Sequence, residues 1–356
     1  MVVGFRVDAS PAIGNGHLVR CRALARALLR SGRVRRLLFL CATIPDAWKP
    51  VLSSDGIEVV TLDFEIESDP IGSLRDSASN ARHCASKFGE LAGLLDWLVV
   101  DHYGIAADWE AVLRSAARRI LVIDDLADRL HDCDILVDHN FDDRPTDRYV
   151  PLVPRGAVAL VGPRFAMLNE DFRRERALLR RQPAPIRRVV VLLGPADLHN
   201  VTGMAVEALL GARVSFDEVD VVLGGKHPFA EEISRLAGMS GRFRVHQTLP
   251  SMAPLFSTAQ LAIGASGTTT LERACLKLPS LVTVIAENQR PVARAIALAA
   301  PALWLGDAAE LSVEAIRNRF ELVADGTHPD LDSRRLPEID GYGADRIVAH
   351  MIGVAQ

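Results

Sequence analysis

The sequence predicts an α/β protein built of two doubly wound domains that face a cleft. Three observations carry that expectation. At 356 residues the chain is long enough to bury two separate cores. Short apolar runs of strand length alternate with stretches of helical periodicity along its whole length. The alternation restarts at Val189, after an arginine-rich stretch broken by Pro183 and Pro185.

The first strand is carried by Val2, Val3, Phe5 and Val7. A turn rich in Gly, Pro and Asn follows, and then a helix whose apolar residues Leu18, Cys21, Leu24, Ala25, Leu28 and Leu29 recur at helical spacing. Leu37 to Cys41 and Ile57 to Leu62 read as the next two strands. Ser68 to Asn80 is polar and reads as a loop leading to a helix around His83 to Leu95. Then come the strand Trp97 to Asp101, a helix around Asp108 to Ala117, and the strands Ile120 to Asp124, Ile135 to Asp138 and Ala157 to Val161. Such β-α-β alternation predicts a mostly parallel sheet with helices on both faces.

Asp171 to Arg188 reads as a helix followed by a rigid linker, with Arg181 to Ile186 as the hinge. The second series runs from a strand at Val189 to Leu193 through a helix at Val201 to Leu210. Further strands are predicted at Val219 to Leu223, Phe243 to Gln247, Leu261 to Gly264, Ser280 to Val284 and Ala302 to Leu305. A helix at Asp345 to Val354 closes the series. The resulting division is a domain over 1–165, a linker over 166–186 and a second domain over 187–356.

Composition excludes several classes. Apolar content of 49% with 24% charged residues is that of a globular enzyme, and a net charge of −4 gives no footing for nucleic acid. The five cysteines are scattered, odd in number and without a C-x-x-C pair, which points away from disulfides and zinc and towards a reducing cytoplasm. Arg6 and Asp8 interrupt the run a signal peptide would need, and no apolar stretch approaches membrane-spanning length. The ten histidines show no metal-binding spacing, and Asp124–Asp125 reads as a strand-end turn, so neither metal nor other cofactor is expected. No G-x-S-x-G elbow supports a serine hydrolase.

The chemistry centres on the turn after the first strand. Gly14 and Gly16 let the backbone turn tightly and approach a ligand. Val19 stands where a dinucleotide fingerprint needs its third glycine, so that fingerprint is absent. His17 falls at the helix N-terminus and at the carboxyl end of a strand, where ligands bind in open α/β sheets. The partial positive charge of a helix start favours neutral imidazole, the form that accepts a proton. The same position also suits a His that only packs the first turn.

The block RVDAS-x-x-I-G-x-G-H-x-x-R-C-x-x-L-A, with Arg6, Asp8, Ser10, Ile13, Gly14, Gly16, His17, Arg20 and Cys21 in place, resembles the opening signature of a UDP-sugar hydrolase family. Those enzymes cleave UDP-2,4-diacetamido-2,4,6-trideoxy-β-L-altropyranose in pseudaminic acid biosynthesis. They are relatives of the peptidoglycan N-acetylglucosaminyltransferase. The resemblance implies two Rossmann-like domains in the glycosyltransferase-B architecture. It makes His17 the catalytic base of the first domain, with Tyr103 of the DHYG segment as its neighbour, and places Asp8, Gly14 and Gly16 at the substrate.

A nucleotide site is expected in the second half. In IGASGTTTLERACLKLPSL, Gly264, Ser266 and Gly267 offer backbone N–H groups, and Thr268 and Thr269 offer hydroxyls, as a diphosphate requires. Glu272, one turn further on, suits ribose hydroxyls, and the resemblance gives the matching glutamate that role. LGPADLHN is similar to a family turn and brings in Asn200 as a ligand contact. AENQ brings in Asn288 as a catalytic-site sugar contact, with Gln289 beside it. Two departures bear on diphosphate geometry or on the sugar accepted: Pro195 and Ser266 stand where the family commonly has glycine.

The function expected from the resemblance is metal-independent, inverting hydrolysis of a UDP-linked amino sugar to free sugar and UDP. A glycosyltransferase of the same fold, with the same His deprotonating an acceptor hydroxyl, is the enzymatic alternative. The arginines of the first helix and its exit (Arg20, Arg22, Arg26, Arg30, Arg33, Arg35, Arg36) would then face anionic lipid, or else form a solvated surface. A nucleotide-sugar-binding subunit is the non-enzymatic alternative. Neither a nucleic-acid partner nor stable membrane insertion is expected, and the sequence names no protein partner.

Overall fold

A computed structural model of the chain describes residues 1–10, 14–62, 77–141, 147–180, 184–194, 197–224, 227–247, 249, 251–300, 303–332 and 337–353. The chain divides into two compact units, one of Met1–Asn169 with Tyr342–Gln356 and the other of Glu170–Gly341.

The first unit holds a seven-stranded parallel sheet of β1 (Val2–Val7), β2 (Arg36–Cys41), β3 (Glu58–Thr61), β4 (Trp97–Asp101), β5 (Ile120–Ile123), β6 (Ile135–Asp138) and β7 (Val158–Val161). Its order is β3-β2-β1-β4-β5-β6-β7, so the direction of winding reverses between β1 and β4. Phe5 of β1 pairs with Phe39 of β2 on one side and Val99 of β4 on the other. Successive strand residues feed opposite faces: Leu37 and Phe39 join one core, Leu38 and Leu40 the other. Helix α1 (Gly16–Arg30) covers the first face with Leu18, Leu24 and Leu28. After the short α2 (Trp48–Ser54), helices α3 (Ser77–Ala92) and α4 (Ala107–Leu113) cover the second face with Phe88 and Trp109. Burial on both faces explains why the strands read as continuous apolar runs rather than alternating ones.

The second unit opens with α5 (Glu170–Leu178) and repeats the plan with β8 (Arg188–Leu192), α6 (Val201–Leu210), β9 (Glu218–Val222), α7 (Ala230–Ala237), β10 (Phe243–His246), α8 (Ala253–Thr258), β11 (Leu261–Ala265), α9 (Thr269–Cys275), β12 (Ser280–Val284), α10 (Arg290–Ala299), β13 (Trp304–Asp307) and α11 (Val313–Val323). Its six strands run parallel in the order β10-β9-β8-β11-β12-β13, with the reversal between β8 and β11.

Three boundaries differ from the sequence expectation. The closing helix α12 (Gly343–Met351) belongs to the first unit, not the second. Its stripe of Ala344, Ile347, Val348 and Met351 joins the core built by α1, and the Trp97 indole N–H donates to the Met351 carbonyl at 3.1 Å. Periodicity reveals such a stripe but not which of two cores it completes. The expected linker is also shorter. Its first part is α5, whose Phe172 is buried against Phe256 of α8. At its end the Ile186 N–H bonds to the Ala324 carbonyl at 2.9 Å, and Gly326 passes so close to Ala184 that a Cβ would overlap its carbonyl oxygen. Residues 181–183 of the expected hinge, and most of the expected loop before α3, lie outside the described residues. The third difference is at α3, which already begins at Ser77.

The placement of α12 generates a test. Ile347→Ala should destabilise the first unit by about 2–5 kcal/mol. Amide exchange should quicken in β1 and β2 and stay unchanged in β8 and β9, whereas faster exchange confined to β8 and β9 would assign α12 to the other core.

Candidate active site

At the reversal point of the first sheet, β1 and β4 end side by side and α1 begins. Gly14 adopts φ +81° and its N–H returns to the Ser10 carbonyl at 2.7 Å, which closes the turn before α1. Gly16 is the first helical residue and His17 the second, so the predicted position of His17 holds. Asn15 makes no side-chain cap. Ile13 lies outside the described residues.

His17 does not simply pack the first turn. Its Nδ1 lies 2.5 Å from Oδ1 of Asp101, the last residue of β4. Arg20 donates to the same carboxylate twice, from Nε to Oδ2 and from Nη2 to Oδ1, both at 2.7 Å. The Cys21 thiol adds a fourth contact at 3.4 Å. Positions 17, 20 and 21 share one helix face, so the H-x-x-R-C spacing is what aims all three side chains at one strand end. Arg20 continues from Nη1 to Asp125, after β5, at 2.9 Å. The Tyr103 ring meets His17 edge-on with centroids 4.5 Å apart.

The protonation pattern follows from these contacts. Burial opposes a charge on Asp101, but the Arg20 guanidinium and the hydrogen bonds from Arg20 and His17 hold its carboxyl well below the usual carboxylate range. An ionised carboxylate only accepts, so Nδ1 of His17 carries a proton, and in the neutral imidazole Nε2 is then the acceptor. The neighbouring His139 is buried after β6, and burial together with Arg20 pushes it down to about 3, so it stays neutral. Burial and the nearby Asp125 push Asp138 up to about 6.

Asp8, which the resemblance places at the substrate, is held by protein groups. It is only 2% exposed, and its carboxylate is engaged by the Ala42 and Thr43 N–H groups at 2.7 and 3.1 Å and by Arg6 at 2.8 Å. Burial alone would raise its pKa, but Arg6 and the His102 hydrogen bond hold it far below the carboxylate range. Asp8 thus ties β1 to the exit of β2 beneath the turn. Other arginines of the opening stretch are likewise committed. Arg22 and Arg26 face Asp55, Arg30 faces Asp345, and Arg36 faces Glu58. Arg33 and Arg35, at the helix exit, are exposed.

In the second unit a turn joins β11 to α9, in the strand-turn-helix order the sequence suggests. The Ser266 N–H and hydroxyl both donate to the Thr283 carbonyl, at 2.9 and 3.1 Å, so neither is available to a ligand. Gly264 is needed for space, because a Cβ there would lie 2.0 Å from the Arg273 guanidinium and 2.8 Å from the Leu192 carbonyl. Gly267, Thr268 and Thr269 form the turn into α9, and Thr268 makes no side-chain cap. Gln289 lies over the turn, its Nε2 3.3 Å from where a Gly267 Cβ would be, and its Oε1 accepts from the Ile285 N–H at 3.2 Å. Asn288 is exposed beside it in a short 3₁₀ turn.

Asn200 is in the left-handed region at φ 51° and caps α6, accepting from the Gly203 N–H at 3.1 Å. Its Oδ1 is therefore already engaged within the turn. Pro195 lies outside the described residues. A cavity of about 400 Å³ sits behind α9, lined among others by Arg273, Lys277, Pro279, Ile296, Leu303 and Ile339; it does not include Gly267, Thr268, Glu272 or Gln289. Among the described residues no three His, Cys, Asp or Glu side chains are placed to hold a metal. No helix among them is long and apolar enough to cross a membrane.

Asp101 and Asp125 join the histidine's network although the sequence reading gives neither of them a site role. The signal was present, since both are carboxylates at strand ends, but in the DHYG segment the residue with a family counterpart at the histidine is Tyr103.

Glu272 generates a pH prediction. It is 8% exposed, and burial pushes its carboxyl up to about 7 despite the adjacent Arg273. The folded value lies above the unfolded one, so the stabilising contribution is fully present below about pH 4.5 and is lost as pH rises through about 7. Glu272→Gln cannot ionise and should escape that loss. Its stability relative to wild type should grow by about 3 kcal/mol across this window in urea denaturation without ligand. A pH-independent difference would contradict the buried, unpaired carboxyl.

No protein-family model matches the chain. Over 294 residues it is 23% identical to UDP-2,4-diacetamido-2,4,6-trideoxy-beta-L-altropyranose hydrolase of Campylobacter jejuni, covering 82% of this chain and 95% of that one. Among solved structures it resembles Acinetobacter baumannii MurG with a TM-score of 0.63 and 14% identity, over 99% of this chain and 100% of that one. It also resembles Phytolacca americana UGT2 complexed with UDP-2fluoro-glucose and pterostilbene, with a TM-score of 0.67 and 12% identity over 99% of each chain. The chain therefore has the glycosyltransferase-B fold, and the likeness to the UDP-diacetamido-trideoxy-altropyranose hydrolase extends over most of its length.

Proposed function

We propose that this chain is a metal-independent hydrolase that releases the sugar of a UDP-linked diacetamido-trideoxyhexose with inversion at the anomeric carbon. The observation that carries the reading is the oriented histidine: Asp101 fixes the His17 proton on Nδ1 and leaves Nε2 to act as a base. The likeness to the Campylobacter hydrolase over 82% of the chain supports the substrate class.

The first unit supplies the base. Nε2 of His17 takes a proton from water, the water oxygen bonds to the anomeric carbon, and the bond from that carbon to the diphosphate oxygen breaks. UDP departs with the electron pair. Tyr103, edge-on to the imidazole, closes one side of the ring. The second unit supplies the nucleotide contacts. The turn Gly267-Thr268-Thr269 presents N–H and hydroxyl donors to the diphosphate, where the leaving charge develops. Glu272, buried and without a hydrogen-bonding side-chain partner among the described residues, accepts from the ribose hydroxyls. Asn288 and Gln289 are assigned to the sugar side, and Gly14 and Gly16 to close backbone approach.

A transferase is the second reading, since the glycosyltransferase-B fold serves it equally well. The same histidine would then deprotonate an acceptor hydroxyl. Incubation with a panel of UDP-linked amino sugars and no acceptor separates the two readings, since only the hydrolase turns over at an enzymatic rate.

His17→Asn should lower turnover by about 10²–10⁴, the contribution of a positioned general base. UDP affinity, measured by calorimetry, should stay within about twofold, because the nucleotide contacts lie on the second unit. Unchanged turnover would remove His17 from the mechanism, and equal losses in turnover and UDP affinity would make its role one of binding.

A further inference from the structure

The remaining question at this site is what holds Asp101. The carboxylate is buried at the end of β4, and a lone aspartate there would rotate or take up a proton. The residue that prevents both is Arg20, three positions after His17 on the same face of α1. It is 3% exposed, so it is no surface charge. Its Nε and Nη2 grip the two oxygens of Asp101 as a fork, both at 2.7 Å, and its Nη1 reaches Asp125 at 2.9 Å. The third contact fixes the guanidinium plane from β5, so the fork cannot swing away from β4.

Nη2 of Arg20 also lies 3.1 Å from Nδ1 of His17. Arginine has only donors, so this is no hydrogen bond to a protonated Nδ1. Both groups instead converge on Oδ1 of Asp101. A proton on Nε2 with a bare Nδ1 would let Nδ1 accept from Arg20, but it would place a nitrogen lone pair 2.5 Å from an ionised oxygen. The fork therefore selects between the two tautomers by keeping that oxygen ionised and in line.

We infer that Arg20 is a positioning residue: by clamping Asp101 against Nδ1 of His17 and anchoring itself on Asp125, it sets which imidazole nitrogen is free to act as base. The inference rests on the reading of His17 as that base. Lysine cannot replace it, because a single ammonium cannot grip both Asp101 oxygens while holding Asp125.

The test uses the full chain with Arg20→Lys, which keeps the charge and removes the fork. Two readouts are taken: the separate kcat and KM for the UDP-sugar hydrolysed by wild type, and the His17 tautomer from long-range ¹H–¹⁵N spectra. Wild type should show His17 with its proton on Nδ1. R20K should lose about 10- to 100-fold in kcat, as expected for a misplaced catalytic group, with KM within about twofold, and its His17 should populate both tautomers. A folded R20K with wild-type kcat, or with His17 still wholly Nδ1-protonated, would overturn the inference. Should R20K fail to accumulate, the paired change R20Q/D125N removes one charge of each sign and takes the same two readouts. Loss of kcat with mixed tautomers there supports the inference, and wild-type kcat or a wholly Nδ1-protonated His17 overturns it. The tautomer comparison needs no turnover, so a wild-type protein that releases no sugar defeats the hydrolase reading while Arg20 is still judged on the spectra.

Discussion

One carboxylate organises the first unit's site. Asp101 ends β4 at the point where the sheet reverses its winding, and it accepts from three residues of the helix that follows the neighbouring strand. A parallel sheet brings β1 and β4 side by side only when the chain crosses over between them, so Asp101 meets His17 across 84 residues of sequence. Burial makes the arrangement demanding. Removing any donor leaves an ionised group in a dry interior, which is why Arg20 and Asp125 belong to the same unit of structure. The Asp101 contact at Nδ1 orients the imidazole, and in the proposed reaction an oriented base would need little reorganisation when a proton moves.

The strands were legible because each is buried on both faces and reads as an apolar run between turn residues. The run Trp97 to Asp101 is β4 residue for residue. His17 was legible because glycines mark the turn before it. Asp101 was not, because its role depends on which strand end lies beside α1, and no local pattern states that. The closing helix was misplaced for a related reason. Its apolar stripe is plain in the sequence, but the choice between two cores is made by Leu24 and Leu28 of α1, some 320 residues away. Asp8 and Ser266 show what a motif leaves unsaid about where polar atoms turn. Both stand in motifs that suggest a ligand, and both turn their polar atoms inward to backbone groups of a neighbouring strand or its exit.

The two units divide the work in the proposed reaction along chemical lines. Proton transfer needs a fixed, tuned side chain, and the first unit concentrates its buried ionic groups at the ends of β1, β4, β5 and β6. Nucleotide binding needs main-chain donors and a carboxyl that can be desolvated, and the second unit offers the Gly267-Thr268-Thr269 turn with Glu272 behind it. Buried positive charge stands beside the carboxylates in both units, from Arg20 in the first and Arg273 in the second.

The central claim is that water activated by His17 attacks carbon. Turnover of the UDP-linked diacetamido-trideoxyhexose in water enriched in heavy oxygen tests it most directly, with mass analysis of both products. The account predicts that the label enters the anomeric hydroxyl of the released sugar and that UDP carries none. Label in the UDP phosphate would mean that phosphorus is attacked, and the histidine–aspartate pair would then not be the base of an attack at the anomeric carbon.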